Sequence, residues 1–123
     1  MLSNAIKFSK PHDRIDIDVT TSPRGKKSTE TDLKIKVIDS GIGITQQDIK
    51  NLFKPFFKTT DVINQEKNKN SHGLGLNICK RIITGMGGTL DVTSETGVGT
   101  TFTITLKTEF YDRKAEMKKV SGL

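Results

Sequence analysis

The feature that most constrains this chain is the apolar run Leu33, Ile35, Val37 and Ile38, which closes on Asp39-Ser40-Gly41-Ile42-Gly43-Ile44. A strand that ends in an acid and then two glycines one residue apart holds a carboxylate beside a backbone that can pass close under a flat ligand, as a purine site requires. The same pattern also serves a plain tight loop after a strand, so its meaning depends on what the rest of the chain places beside it.

With 123 residues the chain has room for one small domain, a single sheet and a few helices over one core. An apolar fraction of 33% and an aromatic fraction of 6% make that core lean. The net charge of +6 is spread over Lys26 and Lys27, the group from Lys54 to Lys69, and Lys114 to Lys119. No basic run is interleaved with aromatics, so nucleic-acid binding is not indicated, and these residues read as solvated surface that would also suit a phosphate site. The single cysteine, Cys79, has no internal disulfide partner and sits in a helical apolar pattern, which reads as buried filler in a reducing compartment. No apolar run approaches the ~20 residues that span a bilayer, and Met1 does not open a signal peptide. The expectation is a cytoplasmic domain without direct membrane contact.

Met1 to Ser9 reads as a helix stopped by Lys10-Pro11. Arg14 to Thr20 alternates, with Ile15, Ile17 and Val19 on one face of a half-buried strand and Asp16 and Asp18 toward water. The polar stretch Thr21 to Thr31 links it to a second strand, Leu33 to Asp39, as a hairpin with a long loop. Thr45 followed by Asp48 resembles a capping box that opens a short helix through Ile49, Leu52 and Phe53. From Phe57 to His72 the periodicity is lost, as in a lid or binding loop. Leu74, Leu76, Ile78, Cys79, Ile82 and Ile83 mark a further helix, stopped by Gly85, Gly87 and Gly88. Thr89 to Ser94 and Thr100 to Thr108 are strands joined by the hairpin Glu95-Thr96-Gly97-Val98-Gly99. Phe102, Ile104 and Leu106 point inward from the last strand. Residues 1–108 form the expected domain and 109–123 a charged tail.

Three segments stand beside Asp39 as candidates. Asn4 and Lys7 lie one helical turn apart and can share a site, and a magnesium ion that holds a triphosphate takes oxygen ligands such as one asparagine. His72-Gly73-Leu74-Gly75-Leu76 opens a helix with two glycines, which leaves amides and the positive dipole end to meet phosphate, or else allows close helix packing. Gly97-Val98-Gly99-Thr100 offers a hydroxyl at the start of a strand, a placement that hairpin chemistry also explains.

Taken in order, the asparagine helix, strand-Asp-x-Gly-x-Gly, phenylalanine-rich turn, aperiodic stretch, Gly-x-Gly helix and Gly-x-Gly-Thr hairpin resemble the catalytic, ATP-binding domain of sensor histidine kinases. That family belongs to the superfamily shared with gyrase and MutL. The resemblance implies an α+β fold, a two-layer sandwich with a mixed sheet of about five strands backed by about three helices. It implies ATP and Mg²⁺ as ligands, a dimerisation domain carrying the phosphoacceptor histidine as partner, and a receiver domain downstream in a phosphorelay.

Carried over by resemblance, Leu2 to Ser9 ends the N box, with Asn4 as magnesium ligand and Lys7 near the phosphates. Asp39 accepts from the adenine amino group, a directed contact that separates adenine from guanine. Gly41 and Gly43 form the turn below the base. Leu52 to Phe57 resembles the F box, in which Phe53 and Phe56 hinge and anchor the lid, although core aromatics would look the same. Lys58 is the lid cation for the phosphates. Gly73 and Gly75 form the second glycine box, and Gly87, Gly88, Gly97, Gly99 and Thr100 the last one. Phe8, Ile44, Leu74, Leu76 and Thr100 complete the implied nucleotide lining.

Ser71 stands where family members usually carry glycine. Neither His12 nor His72 has the surroundings of the family's acceptor histidine, so no catalytic acceptor or general base is assigned within this chain. The family's N-box helix begins upstream, and its first asparagine, or the glutamate of ATP-hydrolysing relatives, would fall just before Met1. The resemblance therefore implies a domain short of a strand and half a helix. Two other readings stay open: a degenerate nucleotide-binding or protein-interaction module of the same fold, and a gyrase-type hydrolase.

Overall fold

A computed structural model describes residues 1–26, 29–58, 74–111, 117–120 and 122. The elements run α1 (Leu2–Phe8), β1 (Ile15–Pro23), β2 (Glu30–Asp39), α2 (Gln46–Ile49), α3 (Gly75–Gly85), β3 (Thr89–Glu95) and β4 (Gly99–Glu109). The strands form a sheet in the order β1-β2-β4-β3. An α+β sandwich is what the sequence led us to expect. Among the described residues the sheet has these four strands, and it is antiparallel throughout rather than mixed. The physical reason is the insertion of β4: β2 and β3 run in the same direction across the helical connection, and the last strand occupies the slot between them.

Local chemistry explains most boundaries. Strand β1 lies on an edge, where a proline costs no ladder hydrogen bond, so Pro23 is accommodated opposite Thr31 and the strand outlasts the linker that its sequence suggests. The Asp48 amide donates to Thr45 Oγ1 at 3.1 Å, which is the hydroxyl half of the expected capping box. Helix α2 nevertheless ends at Ile49, and Leu52 and Phe53 sit in the turns that follow. Gly97, at φ 80°, permits the tight connection from β3 to β4. One helical turn at 117–120 lies beyond the sheet.

The core forms between α3 and the β3–β4 side of the sheet, from Leu52, Ile83, Leu90 and Phe102, with Cys79, Leu76, Ile104 and Leu106 packed around them. The register places Ile17 beside Val37 and Val19 beside Ile35, on the core face. Yet Ile17 is 54% exposed and Val19 59%, because no described helix lies over β1. Their alternation marks a face correctly, but burial depends on what covers it. No helix among the described residues is long and apolar enough to cross a membrane.

Candidate functional site

On the core face the sheet is apolar row by row, Leu90 beside Ile104 and Ile35, then Val92 beside Phe102 and Val37. The next row is polar: Ser94 beside Thr100 beside Asp39. Asp39 and Thr100 are buried, at 8% and 6% exposure. Burial pushes the Asp39 carboxyl above the ordinary carboxylate range, Asp13 adds to the rise, and the amides of Gly41 and Thr100 act against it. The Gly41 amide donates to Asp39 Oδ1 at 3.0 Å, so the chain that leaves the strand bends back over its own acid.

The two glycines after Asp39 answer to the protein as well as to any ligand. A Cβ on Gly41 would lie 2.7 Å from the Phe8 carbonyl oxygen, so this glycine lets the end of α1 seat against the exit of β2. Gly43 adopts φ 75°, and a Cβ there would collide with the Glu95 carbonyl. Gly97 donates its amide to the Ile42 carbonyl at 2.8 Å. Phe8, Gly41, Gly43, Ile44, Asp39 and Thr100 are thus drawn together at one end of the sheet. Close backbone approach is the physical demand at both glycines, and the sequence motif alone did not say which backbone approaches.

Helix α1 brings Asn4, Lys7 and Phe8, all half-buried, to the same end. Lys7 Nζ lies 5.2 Å from the centroid of the Phe8 ring. Its pKa is held below the ordinary lysine value, first by burial and then by the Lys58 charge. The two lysines are therefore electrostatic neighbours although β1, β2 and α2 separate them in sequence. Two cations that raise each other's energy form a place where an anion gains more than at either alone.

Helix α3 opens at Leu74 with no side-chain cap and no acid in its first turn. A Cβ on Gly75 would meet open space, so close packing among the described residues does not explain this glycine. Leu76 packs on the core, as does Ile44. Gly73 lies outside the described residues, as do Ser71 and His72.

The phenylalanine-rich turn divides its residues. The Phe53 carbonyl accepts from Asn77 Nδ2 at 2.9 Å, and Lys80 Nζ sits 5.0 Å from the Phe53 ring centroid, so α3 holds this residue from two positions. Phe57 packs against the core. Phe56 is 72% exposed at φ 62°, which is not the setting of a core aromatic.

A cavity of about 480 Å³ opens at the strand-exit end, lined by Asp39, Ser94 and Thr100 and continuing past Arg14, Ile38 and Thr93. Ile38 and Thr93 belong to the sheet's other face, so the hollow wraps the end of the sheet. Of the expected nucleotide-lining residues that are described, Asp39 and Thr100 line it, whereas Asn4, Lys7, Phe8, Gly41, Gly43, Ile44, Phe53, Phe56, Lys58, Leu74, Gly75 and Leu76 do not. Ser94 is the residue that sequence reading passed over. The signal was there: after Leu90 and Val92 the alternation calls for an apolar residue, and a serine stands in its place.

The sequence model of the histidine kinase-, DNA gyrase B-, and HSP90-like ATPase family matches residues 1–109. Over 118 residues the chain is 35% identical to the sensor protein EvgS of Escherichia coli K12, covering 96% of this chain and 9% of that protein. It is 36% identical over 129 residues to the sensor histidine kinase RcsC of Salmonella typhimurium, covering 100% of this chain and 12% of that one. With the sensor protein SrrB of Staphylococcus aureus the identity is 39% over 106 residues, 86% of this chain and 17% of the other. The fold is similar to that of the mycobacterial sensor histidine kinase MprB, with TM-score 0.71 and 26% identity over 89% of this chain and 68% of that one. The catalytic domain of histidine kinase ThkA, 24% identical, shares the fold with TM-score 0.62 over 86% of this chain and 60% of its own. The chain belongs to the histidine kinase-, DNA gyrase B-, and HSP90-like ATPase family. It is a catalytic domain of the histidine kinase type, and it spans less than a fifth of the curated relatives that it matches.

Proposed function

We propose that this chain is the ATP-binding catalytic part of a two-component sensor histidine kinase. It binds Mg-ATP and gives the γ-phosphoryl group to a histidine on a separate dimerisation domain, from which a receiver domain takes it. The observation that carries the reading is the buried Asp39 carboxylate beside Thr100, past the apolar rows of the core face, with α1 seated against it through Gly41.

Each residue has a task that its placement suits. Asp39, fixed by the Gly41 amide, accepts from the exocyclic amine of adenine and gains little from a base that presents a carbonyl there. Lys7 and Lys58 attract the phosphates, and the uncapped start of α3 at Gly75 turns amides and the positive end of its dipole toward them. Gly75 leaves room for a phosphate to approach the backbone. Asn4, half-buried one turn before Lys7, fits the single amide oxygen that a magnesium ion needs. Among the described residues no group of three or more acidic, histidine or cysteine side chains could hold a metal, so its other ligands would be phosphate oxygens and water. When bound, the ion would neutralise charge on the β- and γ-phosphates. In the transfer, the γ-phosphorus leaves the bridging oxygen of ADP and forms a P–N bond to the partner's imidazole. The donor site's part is orientation and charge neutralisation.

The test is a titration of the chain with a fluorescent ATP analogue in magnesium. Saturable binding that unlabelled ATP displaces supports the reading. A signal that neither saturates nor responds to ATP refutes it and leaves a non-binding module of the same fold.

A further inference from the structure

Ser94 belongs to no motif of the nucleotide site, yet it sits where three parts of that site meet. The Ile44 amide donates to Ser94 Oγ at 2.8 Å. Ser94 Oγ lies 2.8 Å from the Gly99 carbonyl and 2.7 Å from Thr100 Oγ1. A serine hydroxyl has one proton and two lone pairs, so these three partners saturate it.

The arrangement adds a side-chain link between two stretches of chain that the Gly97–Ile42 backbone hydrogen bond already holds together. Ile44 ends the loop under Asp39, and Gly99 and Thr100 begin β4. Its one proton has two places to go, the Gly99 carbonyl or the Thr100 hydroxyl. Given to the Gly99 carbonyl, it obliges Thr100 to donate to Ser94. Turned to Thr100, it releases the threonine proton for another acceptor. The side chain at 94 therefore sets both the position of the Ile44 loop and the direction in which the Thr100 hydroxyl points. Gln46 Nε2 donates to the Ser94 carbonyl at 3.2 Å, so the backbone of this residue is tied to the same loop.

We propose that Ser94 is a positioning residue of the adenine site, acting through Ile44 and Thr100 to pre-organise the groups that read the base. The inference rests on the nucleotide reading above and adds Ser94 to the residues assigned there. Its influence is confined to the base end of the site, since none of its partners lies on α1 or α3.

Competition titrations of the parent chain, Ser94→Ala and Ser94→Thr, with Mg-ATP and with magnesium tripolyphosphate, test it. Tripolyphosphate carries the anionic end and no base. Ser94→Ala is expected to weaken ATP by about tenfold, the worth of one net hydrogen bond at the upper end of its range, and to leave tripolyphosphate within about twofold. Ser94→Thr keeps the hydroxyl on a strand position that favours threonine and is expected to stay within about threefold of the parent for ATP. An equal loss of both ligands in Ser94→Ala marks a role in folding only and overturns the proposal. So does an unchanged ATP affinity, or a threonine variant as weak as the alanine one. A parent chain that binds no ATP overturns the nucleotide reading itself and is recognised before any variant is made.

Discussion

Replacing Asp39 with asparagine separates what this acid does for a ligand from what it costs the fold. The side chain is buried, and its carboxyl titrates above the ordinary range because of desolvation. The folded state thus holds the proton more firmly than the unfolded chain does. Ionised Asp39 then burdens stability, by an amount that grows as pH rises through the interval between the unfolded and folded midpoints and is absent below it. Asparagine has the same shape and keeps an oxygen for the Gly41 amide, so Asp39→Asn is expected to melt at or above the parent's temperature at neutral pH. The two should melt alike once the pH falls below the ordinary carboxylate range. Binding moves the other way. A hydrogen bond to an ionised acceptor is worth ~1.5–3 kcal/mol and one between neutral groups ~0.5–1.5 kcal/mol. The difference, about 1–1.5 kcal/mol, corresponds to roughly five- to twelvefold weaker ATP binding. The assays are thermal melting across pH and competition titration at neutral pH. A variant that binds ATP as tightly as the parent, or one that loses stability together with binding, would refute the argument, because the acid would then be a structural group.

Other expectations follow from the same geometry. Gly43→Ala should lower the melting temperature sharply, since its Cβ has no space beside Glu95 and the backbone is left-handed, whereas Gly75→Ala should melt at or slightly above the parent and bind ATP less well. Equal melting losses in the two variants would contradict the contrast. Lys7 holds its proton less firmly than a free lysine, so ATP affinity should begin to fall with rising pH below the ordinary lysine range. In the ligand-free chain the sign is opposite: the unfolded state binds this proton more tightly, and the Lys7 contribution to stability improves as pH rises through the interval. Binding enthalpies measured in buffers of different ionisation heat would show proton uptake in that range, and no uptake would separate Lys7 from the phosphates. Leu90 is fully buried at the centre of a lean core, so Leu90→Ala should cost ~2–5 kcal/mol in denaturant unfolding, and a loss below ~1 kcal/mol would place the core elsewhere.

The sequence by itself determined what depends on near neighbours. Alternation marked the four strands, Thr45 and Asp48 marked the start of α2, Gly97 and Gly99 marked the hairpin, and the strand ending in Asp39 marked the candidate site. These signals are local because backbone angles, caps and turns answer to residues a few positions away. Tertiary structure decided the rest. The insertion of β4 between β2 and β3 made the sheet antiparallel, and that pairing alone set Ser94, Thr100 and Asp39 in one row. Phe57 was tucked in and Phe56 left out by how the turn after α2 meets α3, although the sequence reading singled out Phe56 and gave Phe57 no role. Ile17 and Val19 stand on the core face with no described helix over them, and the coupling of Lys7 to Lys58 arises across elements distant in the chain. Burial, register and the pull of one charge on another are properties of neighbours in space, and the order of residues along the chain does not name those neighbours.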